Sequence, residues 1–245
     1  MQTPCYNMFC LPPAGCNANI YFPWKKQVSS YLNIVPLEYP SHGKKLAQPL
    51  ITQVDLLAEH LKDEIVAYAN APFILFGHSL GGGLIWKIQE KLQQHPMLQQ
   101  LKLMIVSSRP EHQYATHLRS KHLLTDQQIL EEVRKYNYLP EHILNNPSLI
   151  QFCLKVIRHE FALSDQLLAE KLTPTAIPLM AFYGEDDPDL PETAMMTAWQ
   201  QHSSEWLGCK VLPGNHFYFT APLVLKQMLQ HIEHMVQQKL LHLTV

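Results

Sequence analysis

A serine fenced by glycines, a cluster of acids and a histidine behind a Pro-Gly turn follow one another along the chain: Gly77-His78-Ser79-Leu80-Gly81, then Glu185-Asp186-Asp187 with Asp189, then Pro213-Gly214-Asn215-His216. Those residue types, in that order, suit nucleophilic acyl transfer. A serine hydroxyl is a weak nucleophile until an imidazole takes its proton, and the imidazole needs a carboxylate to orient it and to stabilise its charge. The G-x-S-x-G spacing of 77–81 has a mechanical reason. A serine at the tip of a sharp strand-to-helix turn is backbone-strained, and the residues two positions away must lack a Cβ that would collide. A tight packing turn with an incidental serine would use glycines too, but here a buried-type strand enters the turn and an apolar helical pattern leaves it.

Ser79 is therefore the candidate nucleophile and His216, in a loop between a strand and a helix, the candidate base. The acid is chosen by reach. If Gly184 ends its strand, the third residue on is Asp187, the usual distance for such an acid; Asp186 is the next choice, and the remaining acids are expected to face solvent. The oxyanion of a tetrahedral intermediate needs N–H donors. Leu80, at the start of the helix, offers one through its backbone, and the turn-forming loop "LPPAGCNA" offers a second at Ala14, unless that loop is an ordinary proline-rich turn. The chemistry implied is acyl transfer to water: Ser79 attacks an acyl carbonyl as His216 takes its proton, and water then cleaves the acyl-serine with the same base.

Positioning three distant segments requires a sheet. Apolar, β-branched runs predict strands at 6–11, 33–39, 73–77, 101–107, 177–183 and 207–212, separated by helical patterns. That alternation argues for βαβ units and a mostly parallel sheet flanked by helices. Ile51, Val54, Leu57, Ala58, Leu61, Ile65 and Tyr68 recur at helical spacing; Pro191 is expected to open a helix through Trp199, and a last helix runs from Pro222 towards Lys239. About 70 residues separate the fourth and fifth strands, where a minimal crossover needs roughly 10 to 12. This insertion, at about 110–172, is itself helical: Thr125 to Gln128 resembles a capping box and Asn146-Pro147 a cap with a first-turn proline. At this length it is expected to pack on the carboxyl edge of the sheet as a lid rather than form a second domain, leaving one domain over 1–245.

A chain of 245 residues with net charge −2 and scattered cations gives no attraction for nucleic acid. No apolar run approaches the roughly 20 residues that span a bilayer, and the amino terminus lacks a basic-then-apolar pattern, so a cytoplasmic protein is expected. Five cysteines, Cys5, Cys10, Cys16, Cys153 and Cys209, form no close pair, which fits neither a disulfide framework nor a zinc site. Neither a metal nor a cofactor is expected; His231 and His234 have no further ligand type beside them.

Nearly the whole chain resembles the type II thioesterases that accompany nonribosomal peptide and polyketide synthases, members of the α/β-hydrolase fold. "MFCLPPAG" is similar to that family's opening Phe-Pro-x-Ala-Gly, with Tyr21 and Trp24 like its aromatic pair, and "APFILFGHSLGG" to its nucleophile segment. "SSRP" resembles Ser-Gly-Arg-x-Pro, "YGEDDPD" with Trp199 the acid region, and "PGNHFYF" the family's Pro-Gly-Gly-His-Phe-Phe. Three departures stand out: Pro40-Ser41-His42-Gly43-Lys44 replaces a common Pro-Gly-Arg, Cys16 stands where a second glycine is common, and Leu80 replaces a common Met. The resemblance implies a monomer that clears aberrant acyl or aminoacyl groups from the phosphopantetheine arm of a carrier domain. A medium-chain fatty acyl thioesterase, a small-ester esterase or a non-catalytic binding module with the same fold are the alternatives.

Overall fold

A strand covered on both faces needs apolar residues at consecutive positions. In the computed structural model, which describes residues 6–69, 71–136, 139 and 141–238, six strands meet that demand to different degrees: β1 (Tyr6–Leu11), β2 (Leu32–Pro36), β3 (Phe73–His78), β4 (Leu101–Ser107), β5 (Leu179–Gly184) and β6 (Trp206–Leu212). They form one sheet in the order β2-β1-β3-β4-β5-β6, each neighbouring pair parallel. β1, β3 and β5 are buried at every position. The edge strand β6 is only half-covered and more polar.

The helices among the described residues are α1 (Val54–Tyr68), α2 (Leu80–Leu92), α3 (Asp126–Lys135), α4 (Glu141–Leu144), α5 (Pro147–Ala169), α6 (Ala194–Thr197) and α7 (Pro222–Val236). Successive strand residues face opposite sides of a sheet, and the core divides accordingly. Phe9, Leu75, Met104 and Val106 pack with Leu61 and Ile65 of α1, Leu84 and Ile88 of α2, and Leu167 of α5. Met8, Ile74, Phe76 and Ile105 pack instead with Tyr21, Trp24 and the Met228 and Ile232 side chains of α7. Each such burial contributes about 1.5–3 kcal/mol, enough in sum to hold locally unfavourable turns at the strand ends.

Most elements lie where the sequence predicts them, with differences that have physical causes. β2 ends at Pro36 although Leu37 still donates its N–H to the Cys10 carbonyl of β1 at 2.9 Å; the chain then turns so that Tyr39, expected in the strand, sends its hydroxyl to the Pro12 carbonyl at 2.8 Å. The helix expected from Pro191 to Trp199 is only the single turn α6, followed by a 3-10 segment, Ala198–His202. Thr193, at the cap position, makes no capping bond; its hydroxyl is 2.7 Å from that of Tyr183, while the Trp199 indole N–H donates to the Arg109 carbonyl at 2.8 Å. The continuation of the last helix to Lys239, and Cys5, fall outside the described residues.

In the insertion, Thr125 and Gln128 form the expected capping box, and Asn146 Oδ1 accepts from Ser148 N at 3.1 Å and Leu149 N at 3.2 Å. α5 reaches back to the sheet layer: Lys87 of α2 pairs with Glu170 at 2.7 Å, just past the end of α5.

The turn from β3 into α2 depends on glycine at two places. A Cβ on Gly77 would lie 2.1 Å from the Gly81 carbonyl oxygen, and one on Gly81 would lie 2.3 Å from the Leu11 carbonyl oxygen of β1. Both contacts are with backbone, which cannot swing aside. Gly81→Ala should therefore cost about 3 kcal/mol, a fall of roughly 6–12 °C in Tm for a domain of this size. Gly82→Ala, whose Cβ would come no nearer than 3.2 Å to an Arg109 side-chain carbon, should cost less than half as much; thermal unfolding of the two variants checks the ranking.

Candidate active site

Parallel strands bring their carboxyl ends to one edge, and three loops at that edge carry the candidate residues. Ser79 follows β3 at φ 52°, ψ −112°, a conformation that L-residues avoid. Its N–H donates to the Ser107 carbonyl of β4 at 2.8 Å, and its own carbonyl accepts from Gly82 N at 2.9 Å. The turn is thus tied to the neighbouring strand on one side and to the first turn of α2 on the other.

Asp187 follows β5 and His216 follows β6. Gly184 lets these two loops meet, since a Cβ there would be 2.1 Å from the Asn215 carbonyl oxygen, and Asp186 N donates to the Gly214 carbonyl at 2.9 Å. His216 Nδ1 lies 2.9 and 3.1 Å from the two Asp187 carboxylate oxygens, both side chains buried. Asp187 Oδ1 also accepts from Asp189 N at 3.0 Å. A carboxylate can only accept, so Nδ1 carries the proton and the free lone pair of neutral His216 is on Nε2, the nitrogen a general base would use. Glu185 and Asp186 are exposed.

Burial disfavours the His216 cation, but the Asp187 charge and hydrogen bond, with Asp189 behind them, outweigh it and hold the imidazole pKa above its ordinary value. For Asp187 burial likewise opposes ionisation, and His216 overcomes it, keeping the carboxyl below the usual range. Beside this pair lies His78, fully buried with its ring centroid 4.8 Å from that of His216. Burial, reinforced by the His216 charge, pushes the His78 pKa well down, so no competing cation forms there. Its Nδ1 is 2.8 Å from Ser107 Oγ, which is in turn 2.7 Å from the Tyr218 hydroxyl.

Ser79 and His216 line one cavity, open to solvent, walled by Ala14, Cys16, Ile157, Phe161 and Phe217 and predominantly apolar. A second, more polar cavity adjoins it, sharing Ala14, Ser79, Tyr136 and Phe161 and adding Leu80, Arg109, Lys121 and Asp189. All five predicted residues, Ser79, Asp187, His216, Ala14 and Leu80, are thus gathered around the same corner. The Cys16 thiol at its wall is buried, and desolvation followed by the Glu160 charge drives its pKa far up.

The sequence alone did not single out Tyr136 or the position of Asp189. Tyr136, just past α3, lays its ring 4.6 Å from His216 at an interplanar angle of 35° and donates its hydroxyl to Asp189 Oδ2 at 2.7 Å. Lys121 Nζ lies 3.4 Å from Asp189 Oδ1 and 3.0 Å from Glu132. Asp189 is therefore half-buried and paired, not turned to solvent as expected. Asp187, Asp189 and His216 are spaced closely enough to surround a metal ion, their ligand atoms within 4.8 Å of one another, yet those atoms already bond each other, Tyr136 and Lys121. Among the described residues no helix is long and apolar enough to cross a membrane.

Comparison with known proteins places this geometry in context. A family model described as "Thioesterase domain" matches residues 7–236. The chain is 28% identical over 216 residues to the AMB antimetabolite synthetase AmbE of Pseudomonas aeruginosa, spanning 87% of this chain but a tenth of that protein. It is 27% identical to Thioesterase PikA5 of Streptomyces venezuelae, covering 86% of this chain and 74% of the relative. Among solved structures, ClbQ from the colibactin NRPS/PKS pathway superposes with a TM-score of 0.86 over 98% of this chain and all of that one, at 22% identity. The fold is that of the α/β-hydrolase thioesterases.

The raised His216 pKa sets the expected pH dependence. A base acts when neutral, so kcat/KM should rise with pH along an acid limb whose midpoint lies above 6.5. Asp187→Asn removes the charge that lifts the pKa and inverts the hydrogen-bond pattern at Nδ1; turnover should fall by about 10³- to 10⁴-fold, while the exposed Asp186→Asn should stay within about twofold of wild type. Steady-state rates from pH 5 to 9 for the three proteins give both results.

Proposed function

This chain belongs to the thioesterase domain family, and on that premise we propose that it is a serine-dependent thioester hydrolase acting on acyl or aminoacyl groups held by the phosphopantetheine arm of a carrier domain. The observation that carries the reading is the buried Asp187–His216 pair facing the same chamber as a serine held at positive φ. Ser79 Oγ attacks the thioester carbonyl as His216 Nε2 takes its proton. The Ala14 and Leu80 N–H groups stabilise the oxyanion, and collapse of the intermediate releases the arm as a thiol that receives the His216 proton. Water, deprotonated by His216, then attacks the acyl-serine; its collapse returns Ser79 and releases the carboxylic acid.

Thiolates, with pKa near 8.5, leave far more readily than alkoxides, so the leaving group asks little of His216 as an acid. The chamber suits an acyl chain, because its walls are apolar and are formed in part by Ile157 and Phe161 of α5; the insertion acts as the lid over it. The editing role, removal of stalled or incorrect groups from a synthase, is supported by the NRPS/PKS pathway named for ClbQ and by the family resemblance of the separate motifs.

Mass spectrometry of carrier domains loaded with different acyl groups, before and after addition of the protein, tests the assignment. Wild type should strip the acyl group and Ser79→Ala should leave it, and hydrolysis should be faster on carriers than on acyl-coenzyme A or nitrophenyl esters. Undiminished activity in Ser79→Ala would end the serine mechanism. A strong preference for free acyl-coenzyme A or oxygen esters would replace editing by a fatty acyl thioesterase or esterase, and inert wild type would leave a binding module.

A further inference from the structure

One buried acid has no part in the chemistry above. Glu160, on α5, is 2% exposed, although carboxylates are almost never buried without a partner. Its Oε2 accepts the backbone N–H of Gly15 at 2.6 Å, across 145 positions of sequence. Its Oε1 is 3.3 Å from Nε2 of His42, which is itself 7% exposed and lies in the stretch that departs from the family's Pro-Gly-Arg. The other ring nitrogen, Nδ1, is 3.0 Å from the Pro40 carbonyl. A carbonyl can only accept, so Nδ1 carries a proton and Nε2 carries one only when the ring is charged. The contact with Glu160 is therefore favourable as an ion pair, and the Glu160 bond and charge, opposed by burial, raise the His42 pKa.

The bond to Gly15 falls at a sensitive place. Gly15 follows Ala14, the candidate oxyanion donor in the loop after β1, and has φ +76°. A Cβ there would lie 2.7 Å from Ile157 Cγ1, so α5 packs directly on this loop. Pro13 restrains the chain before Ala14; after it comes a glycine, the residue with the greatest backbone freedom. A hydrogen bond that fixes the Ala14–Gly15 peptide removes that freedom where it would let the Ala14 amide swing.

We propose that Glu160 is a positioning residue for the oxyanion loop: its carboxylate, paired with His42, holds the Gly15 N–H and so aims the preceding Ala14 N–H at the reacting carbonyl. The inference rests on the reading of Ser79 as nucleophile and Ala14 as oxyanion donor. It makes the helix that walls the acyl chamber part of the apparatus that stabilises the transition state.

Two conservative variants separate reach from charge. Glu160→Gln keeps an oxygen at the same distance for Gly15 and presents an amide N–H to neutral His42; Glu160→Asp keeps the charge but draws the carboxylate back by one methylene. With an acyl thioester at saturating and limiting concentrations, Glu160→Asp should lose about 10- to 100-fold in kcat, somewhat less than the loss of a whole oxyanion donor, with KM within about threefold. Glu160→Gln should retain kcat within about fivefold. The rate at which a fluorophosphonate labels Ser79, whose adduct also seats an oxygen in the oxyanion site, should follow the same ranking. Thermal unfolding of each variant accompanies the rates. Asp and Gln variants that both match wild type, a Gln variant that falls as far as Asp, or a loss confined to KM would each overturn the proposal. Ser79→Ala run alongside distinguishes the two levels: if it still hydrolyses, the nucleophile assignment has failed, and if it is dead while both Glu160 variants are normal, only the positioning role has.

Discussion

The close approach of Gly81 to the Leu11 carbonyl, with no room for a Cβ between them, is the constraint from which the rest of the site follows. It seats the first turn of α2 against β1 and forces the chain at Ser79 into a backbone conformation that costs about 1–3 kcal/mol. That cost is only partly offset by the two hydrogen bonds that tie the turn. It is met by the two layers of apolar packing on either side of the sheet, where β1, β3 and β5 are buried at every residue. The same approach brings the loop after β1, with Ala14, beside the amino end of α2, with Leu80, so that one contact sets the spacing of candidate nucleophile and candidate oxyanion donors together.

The charged part of the site obeys a different rule. Asp187 and His216 are both buried, and desolvation alone would neutralise each of them. They remain poised because each is the other's principal compensation, in a setting where His78 is kept uncharged and Tyr136 covers the imidazole. Asp189 is occupied by Tyr136 and Lys121, while the Asp187 oxygens take the His216 ring and the Asp189 N–H. Two neighbouring acids thus receive separate tasks from their partners rather than from their own chemistry.

Much of this was legible in the sequence, and what was not shares a cause. Ser79 and His216 announce themselves by local patterns, glycines around a serine and Pro-Gly before a histidine, because the turns that place them are local. Asp187 was reachable by counting from Gly184. Tyr136 was not, because its meeting with His216 depends on how an insertion folds over the edge, and no periodicity records contacts between side chains 80 positions apart. Glu160 left a fainter trace: it falls on the apolar stripe of α5 with Val156, Ile157 and Leu163, and an acid on such a stripe signals a buried partner without naming it. The shortened helix after Pro191 had no trace at all, since the Thr193 hydroxyl meets Tyr183 instead of capping.

Cys16 brings a second potential nucleophile to within the same chamber as Ser79. Its sulfur is enclosed by apolar side chains and lies near the Glu160 charge, both of which keep it in the thiol form, and a thiol without its anion reacts slowly. Electrophiles that enter the chamber accordingly meet the candidate nucleophile Ser79 and one dormant sulfur. The Cys16 side chain thus fills space in the wall of the chamber as a neutral thiol.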